Sequence, residues 1–374
     1  MNTFFKPEQI FLTGSRTLSR EYYLSAEIFA SEIEHIFTRS WFCAGHVSRL
    51  PEAGDFFVLD AYGENIIILR DQNGEICAFY NVCRHRGTRM CEEKEGRFSK
   101  SIQCPYHAWT YSLDGKLIGA PLMKDVVDFN KEDYPLHAVY MYVWQGFIFL
   151  NLDKSAQPFD QAFRPVLDKF DGWNLPILRS ARRITYDVNA NWKLIFQNYN
   201  ECYHCPPVHP QLAKISPFTS GANDLTAGPF IGGYMSIAGA SSLTLSGNAC
   251  ALPVGALPEE DYHRVYYYSF SPNMLLSLHP DYVMFHTIWP QSPARSIIHC
   301  EWLFHPDGFG RADFHPEDAV EFWDITNRQD WHMCELSQLG ISSRAYQPGP
   351  YSPREALPAA FDRHYLQVMD PYLK

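Results

Sequence analysis

The sequence has no surplus of basic residues. Lys and Arg total 31 against 42 Asp and Glu, a net charge of −11 at pH 7. Nonspecific nucleic-acid binding needs a basic surface and is excluded; the acidic surplus leaves room for a basic partner. No run of about 18 apolar residues occurs, so no membrane-spanning helix is expected. The opening stretch MNTFFKPEQIFLTGSRTLSREYY lacks a basic region followed by an apolar core and does not read as a secretory leader. The 10 Cys show no disulfide-like framework, which points to a reducing compartment, the cytoplasm. Internal repeats, heptads and low-complexity segments are absent as well. No GxGxxG motif follows a strand-like run, so a nicotinamide site is not expected on this chain.

What is present is a large potential core. The chain has 374 residues, 46% hydrophobic and 15% aromatic, enough for two domains without disorder. Trp41 to about Asn151 reads as short strands separated by turn signals at Gly63-Glu and Asn73-Gly, with a hairpin signal at Asp114-Gly115. Before it, Leu18–Ser40 reads as one or two amphipathic helices. After it come a Pro- and Asp-rich link with one helix near 159–170, then a strand over 183–189. Strands follow over 230–237, 264–270, 274–278, 282–289 and 296–304. The Gly-, Ser- and Pro-rich stretches 214–228 and 239–258 read as long loops. The chain is thus α+β: a helical segment 1–40, a small all-β domain 41–155, and a domain 156–374 with an antiparallel sheet flanked by helices.

The stretch Asn191–Pro210, NWKLIFQNYNECYHCPPVHP, organises the second domain. Trp192, Ile195, Phe196 and Tyr199 recur at helical spacing. Pro206, Pro207 and Pro210 forbid a regular helix through the second half of the stretch. His204 therefore leaves a helix end and His209 returns from a turn. Two His with one carboxylate form the facial triad of non-heme iron oxygenases. The competing reading makes Cys202, Cys205 and His209 part of a zinc site, because CxxC is a zinc spacing. Upstream stands a second motif, Cys83-Arg-His85 followed by Cys104-Pro-Tyr-His107. Two Cys and two His in that order are the ligands of a Rieske [2Fe–2S] centre, with a structural Cys2His2 zinc site as the alternative. A carboxylate for the triad is sought on the helix 316–339. Asp330 falls on its apolar face, with Phe322, Trp323, Met333 and Cys334; Asp324 shares a more polar side with Asn327, Arg328 and Trp331. Asp330 is preferred and Asp324 is the alternative. His46, His279, His286 and His364 read as core or surface histidines.

CRHRGTRM, CPYHAWTY and NWKLIFQNYNECYHCPPVHP together resemble the large subunit of Rieske non-heme iron oxygenases, over nearly the whole chain. The Glu of Glu201-Cys-Tyr-His204, where Asp is the commoner residue, resembles the branch acting on quaternary ammonium compounds. A small departure is the 18 residues between His85 and Cys104, with the extra length expected in an exposed loop at 92–100. The resemblance implies a helix-grip-like catalytic domain. It also implies cluster ligands Cys83, His85, Cys104 and His107, and mononuclear Fe(II) held by His204, His209 and Asp330. Glu201 would carry electrons between cluster and iron across a subunit junction of a homotrimer. A separate reductase with flavin and a ferredoxin-type cluster would supply those electrons from NADH. O2 and a quaternary ammonium compound would be the substrates, and Tyr199 is the candidate for a cation–π contact. Glycine betaine to dimethylglycine plus formaldehyde is the expected reaction. Choline, carnitine or proline betaine, an aromatic ring, and a non-catalytic electron-transfer role are the alternatives.

Overall fold

The computed structural model describes residues 15–373, so most of the opening stretch read for a secretory leader lies outside the described residues. The chain forms two compact units, one from residues 38–159 and one from 15–37 with 160–373.

The unit of residues 38–159 is built from three small antiparallel sheets. One orders β1 (Phe42–His46), β10 (Phe147–Asn151) and β9 (Tyr140–Trp144). A second orders β4 (Ile76–Tyr80), β3 (Glu64–Arg70), β2 (Asp55–Ala61) and β5 (Glu95–Arg97). The third is β6 (Ser101–Gln103), β7 (Thr110–Ser112) and β8 (Leu117–Gly119). Ile67 and Leu69 alternate inward on β3 and meet Ile102, Trp109, Tyr111 and Leu117 in one core cluster. The expected loop at 92–100 is in part a strand. Residues 95–97 are exposed but pair with Asp55–Phe57, because Arg97 Nε donates to Asp55 at 2.6 Å and so pins this edge.

The other unit is a seven-stranded antiparallel sheet with helices. Its strands are β11 (Arg179–Val188), β12 (Ala222–Ala227), β13 (Phe230–Ser236), β14 (Arg264–Phe270), β15 (Met274–Leu278), β16 (Val283–Ser292) and β17 (Arg295–Phe304). They lie in the order β11-β17-β16-β15-β14-β13-β12. β12 falls inside the stretch expected to be a loop. It is an edge strand without hydrophobic alternation and shows no strand period in sequence. The Gly-rich stretch 239–258 carries no regular element, as expected. The helices are α1 (Glu21–Leu24), α2 (Ala26–Glu32, continued by a wider turn to Phe37), α3 (Phe159–Ala162) and α4 (Trp192–Tyr199). They continue with α5 (Cys205–Val208), α6 (Pro210–Ile215), α7 (Pro316–Ile341) and α8 (Ala356–Met369). α3 stops well short of the helix expected to reach residue 170, in keeping with Pro165 in its path.

α4 positions the site. Asn191 caps it, its side chain accepting from Lys193 N at 3.0 Å. Its underside is fully buried and polar. Lys193 Nζ pairs with Glu32 Oε1 at 2.5 Å, while Trp192 Nε1 and the Tyr365 hydroxyl also donate to Glu32. The prolines after α4 were expected to forbid helix. Instead Pro206 and Pro207 open α5, and Pro210 opens α6. At the first turn a missing N–H costs nothing and the fixed φ is already helical, so proline starts these short helices.

Candidate metal centres

In the smaller unit Cys83 and Cys104 each follow a strand and open a tight loop of the same design. Gly87 N donates to Cys83 O at 3.0 Å, and Ala108 N donates to Cys104 O at 3.1 Å. Both closing residues have positive φ, +74° at Gly87 and +55° at Ala108. The two loops bring their ligand candidates together. The His85 and His107 rings lie 4.7 Å apart between centroids, and both thiols are buried and free. Tyr111 hydroxyl sits 3.5 Å from Cys83 Sγ and accepts from Arg84 N at 3.1 Å. His85 stacks on Trp109 at 4.9 Å, and its Nδ1 is buried without a hydrogen-bond partner. Burial first, then the neighbouring His107 and Arg86, hold His85 below the usual imidazole range, in the neutral ligating form. Two buried thiols beside two close imidazoles, one with an orphaned ring nitrogen, fit a [2Fe–2S] group.

In the larger unit the chain turns sharply after α4, so that α5, α6 and α7 converge. His204, His209 and Asp330 offer three ligand atoms within 4.8 Å of one another. Asp330 Oδ1 lies 3.1 Å from His204 Nε2 and 2.8 Å from His209 Nε2. The other ring nitrogens are also engaged: His204 Nδ1 with Glu201 Oε1 at 2.5 Å, His209 Nδ1 with Gln329 Oε1 at 2.7 Å. Asn198 Nδ2 donates to Asp330 Oδ1 at 3.1 Å. Burial opposes charge on His204, yet Asp330 and Glu201 raise it to about 10. The same two imidazoles hold Asp330 well below the carboxylate range against its own burial. Positive charge is thus strongly favoured where the two Nε2 atoms and Oδ1 meet, and two N donors with one O donor fit a ferrous ion.

Asp324 is not part of this group. Its Oδ1 accepts from the Tyr186 hydroxyl at 2.7 Å and its Oδ2 from Arg328 Nε at 2.9 Å. Glu201 holds His204 within its own chain. Its Oε2 accepts from Tyr203 N and His204 N, and its side chain is 13% exposed. Cys202 and Cys205 are joined in a disulfide, so their sulfurs are not the zinc thiolates of the alternative reading. Tyr199 is half-buried, its hydroxyl donating to Leu276 O at 2.9 Å and lying 2.9 Å from Ser277 Oγ.

The comparisons with known proteins match this geometry. Residues 40–130 match the Rieske [2Fe-2S] domain and residues 177–371 the ring hydroxylating alpha subunit catalytic domain. The chain belongs to the Rieske oxygenase alpha subunits. It is 30% identical over 371 residues to the glycine betaine monooxygenase oxygenase subunit of Pseudomonas aeruginosa, covering 90% of this chain and 85% of that one. It is 38% identical over 200 residues to the carnitine monooxygenase oxygenase subunit of Acinetobacter baumannii, 53% of each chain. The solved quaternary ammonium Rieske monooxygenase CntA superposes with a TM-score of 0.82 at 26% identity, covering 98% of this chain and 99% of that one. As a Rieske oxygenase alpha subunit the chain is an oxidoreductase carrying a Rieske cluster and a mononuclear iron. Among the described residues no helix is long and apolar enough to cross a membrane.

A cavity of about 680 Å³, part of it open to solvent, adjoins the iron group of this Rieske oxygenase. Tyr199, Tyr267, Trp323 and Trp331 line it, with Glu201 and Asp330 as its carboxylates and no Lys or Arg among the lining residues. Asn198, Gln329 and Asn327 belong to the surroundings of the site and were not singled out from sequence; His286, read there as a core or surface histidine, is buried beside them. For Asn327 a signal existed: it stands three residues before Asp330, on the same side of α7.

Proposed function

We propose that this Rieske oxygenase alpha subunit hydroxylates an N-methyl group of a small quaternary ammonium compound. The observation that carries the reading is the cavity beside His204, His209 and Asp330, walled by four aromatic rings and with no Lys or Arg among its lining residues. A quaternary nitrogen offers no hydrogen-bond donor, and aromatic faces hold such a cation through their quadrupoles. The relatives named for glycine betaine and carnitine support the same class. Overall, the methyl C–H and O2 with two electrons and two protons give N–CH2OH and water; the hemiaminal then collapses to formaldehyde and a tertiary amine. Glycine betaine to dimethylglycine is the first reaction to test.

Cys83, His85, Cys104 and His107 would hold the cluster, which would supply electrons, and His204, His209 and Asp330 would hold the iron, which would supply the O2-activating chemistry. Glu201 fixes the His204 ring and excludes rotation of it. Its remaining lone pairs accept a hydrogen bond from a cluster histidine of a neighbouring subunit in a homotrimer, and a separate NADH-dependent reductase supplies electrons. The test is a substrate panel scored for formaldehyde with reductase present: glycine betaine, choline, carnitine, proline betaine and a simple aromatic ring. Formaldehyde from a quaternary ammonium compound is the expected result. Ring hydroxylation with no formaldehyde from any cation overturns the proposal.

A further inference from the structure

Three consecutive tyrosines stand on β14, and the strand period sends them two ways. Tyr266 and Tyr268 share one face, their rings stacked 6.2 Å apart between centroids. Both hydroxyls donate to carboxylates: Tyr266 to Asp261 at 2.6 Å and Tyr268 to Asp224 at 3.0 Å. Tyr267 lies on the other face, in the cavity wall beside Tyr199 and Trp323, whose rings are 6.0 and 6.3 Å away between centroids. Its strand is an inner one, paired with β13 and β15, yet Tyr267 keeps part of its surface open.

The wall holds other side-chain donors, but each has a protein partner or is sealed off. Tyr199 donates to Leu276 O, Trp323 Nε1 to the Tyr282 hydroxyl, and Thr326 to Phe322 O. The amides of Asn198, Asn200 and Asn327 donate to Asp330, Phe196 O and the Tyr186 hydroxyl. Trp331 Nε1 and His286 Nδ1 have no partner, and both atoms are buried behind the wall. The Tyr267 hydroxyl differs from all of these. Among the described residues it makes no hydrogen bond, and it is not sealed off as those two nitrogens are. Burial first, then Tyr199 and Asp330, hold it well above the usual phenol range, so it keeps its proton and can donate.

A lone O–H donor in an aromatic cavity orients a ligand through an acceptor that the ligand brings. A quaternary nitrogen offers no acceptor, because all four of its valences go to carbon. The acceptor must therefore sit at the other end of the molecule. No Lys or Arg lines the cavity to meet that end instead. We propose that Tyr267 is a specificity-determining residue that donates a hydrogen bond to the oxygen end of the substrate, a carboxylate or a hydroxyl, so that oxygen-tailed quaternary ammonium compounds bind in preference to alkyl-tailed ones. The inference rests on the quaternary ammonium reading and narrows it.

The experiment measures dissociation constants by calorimetry on the holoenzyme for two matched pairs. Choline is compared with n-propyltrimethylammonium, and glycine betaine with isobutyltrimethylammonium. Tyr267→Phe keeps the ring and its neighbours and removes only the donor. In that variant the oxygen-tailed ligands weaken, by roughly two- to tenfold for a hydroxyl and roughly 10- to 150-fold for a carboxylate, while the alkyl-tailed ligands stay within about threefold. A loss on choline alone assigns the hydroxyl and a loss on glycine betaine alone the carboxylate; either supports the proposal. Equal weakening of both members of each pair, or no weakening, overturns it, as do two pairs with ratios near one in the unaltered protein. The denaturation midpoint of Tyr267→Phe stays where it was, because the hydroxyl has no protein partner to lose. A variant that is clearly destabilised or does not fold shows an internal partner for the hydroxyl and overturns the assignment as well. A neutral carbon isostere of choline, 3,3-dimethylbutanol, separates the two readings. If it binds as tightly as choline, the quaternary ammonium reading fails; if the cations win but the oxygen makes no difference, only the Tyr267 proposal fails.

Discussion

Replacing Gln329 with Leu should weaken the mononuclear iron site while leaving the cluster intact. His209 is 2% exposed, and its Nδ1–H donates to Gln329 Oε1 at 2.7 Å, with Nε2 turned to Asp330. Leu fills a similar volume but accepts nothing. The Nδ1–H is then left buried and unpaired, a penalty of about 1–3 kcal/mol. At 1.4 kcal/mol per decade this is roughly 5- to 150-fold, in line with the ~10- to 100-fold losses typical when a histidine ligand loses its outer partner. Gln329→Glu keeps the acceptor and should hold metal as well as the unaltered chain or better. The assay is titration of iron-depleted protein with Fe(II) or Co(II) against a chelator. The visible spectrum of the cluster serves as internal control. Gln329→Leu protein with unchanged metal affinity and an unchanged cluster spectrum would refute the reasoning, because the Gln329 bond would then not persist when metal binds.

Other expectations follow from the same geometry. Asp330→Ala should lose mononuclear iron and turnover by metal analysis while keeping the cluster spectrum, whereas Asp324→Ala should retain iron; the opposite pattern would reassign the carboxylate ligand. Tyr199→Ala should weaken substrate binding by a few-fold to about thirtyfold, the range of one cation–π contact. Tyr199→Phe should keep most of that affinity but lose about 0.5–1.5 kcal/mol of stability with the hydroxyl bonds to Leu276 and Ser277, measurable by denaturant titration. Equal affinity losses in the two variants would mean that the ring is not the contact. Glu201→Gln should keep both metals and a reducible cluster but slow product formation in single turnover. Mixed trimers of Cys83→Ser and His204→Ala chains should regain partial activity, and verified mixed trimers no more active than their parents would exclude electron transfer between subunits.

The parts of the site that were legible in the sequence are those in which chemistry is local. His204 and His209 sit five residues apart around prolines, and the cluster motifs each occupy one loop, so spacing alone suggested them. Asp330 was legible because a helix face can be counted from Phe322 and Trp323. Gln329, Asn198 and His286 were not, since their places at the site depend on contacts across 120, 132 and 41 residues of sequence. His286 is a case in point: a strand position buried on both sides gives no period that distinguishes a packed imidazole from one facing a cavity. β5 and β12 were missed because edge strands can lack hydrophobic alternation. The prolines at Pro206, Pro207 and Pro210 misled because the same residue that ends a helix interior is favoured at a helix start. Cys202 and Cys205 read as a zinc spacing, since CxxC serves metals and disulfides alike.

The Glu32–Lys193 pair has a consequence for how the chain is made. Its two members are 161 residues apart, and a whole compact unit, residues 38–159, is encoded between them. At about 5–20 residues per second, synthesis of that interval takes roughly 8–32 s. During that time α1 and α2 have been produced, but the helix they are to pack beneath does not yet exist. The intervening unit, continuous in sequence, can close around its own core on the ribosome; the larger one is completed only after Tyr365 of α8 has reached Glu32. A nascent chain stalled near residue 200, long enough for β10 to have left the ribosomal tunnel, should therefore already display a protease-resistant 38–159 fragment while residues 15–37 are still cleavable.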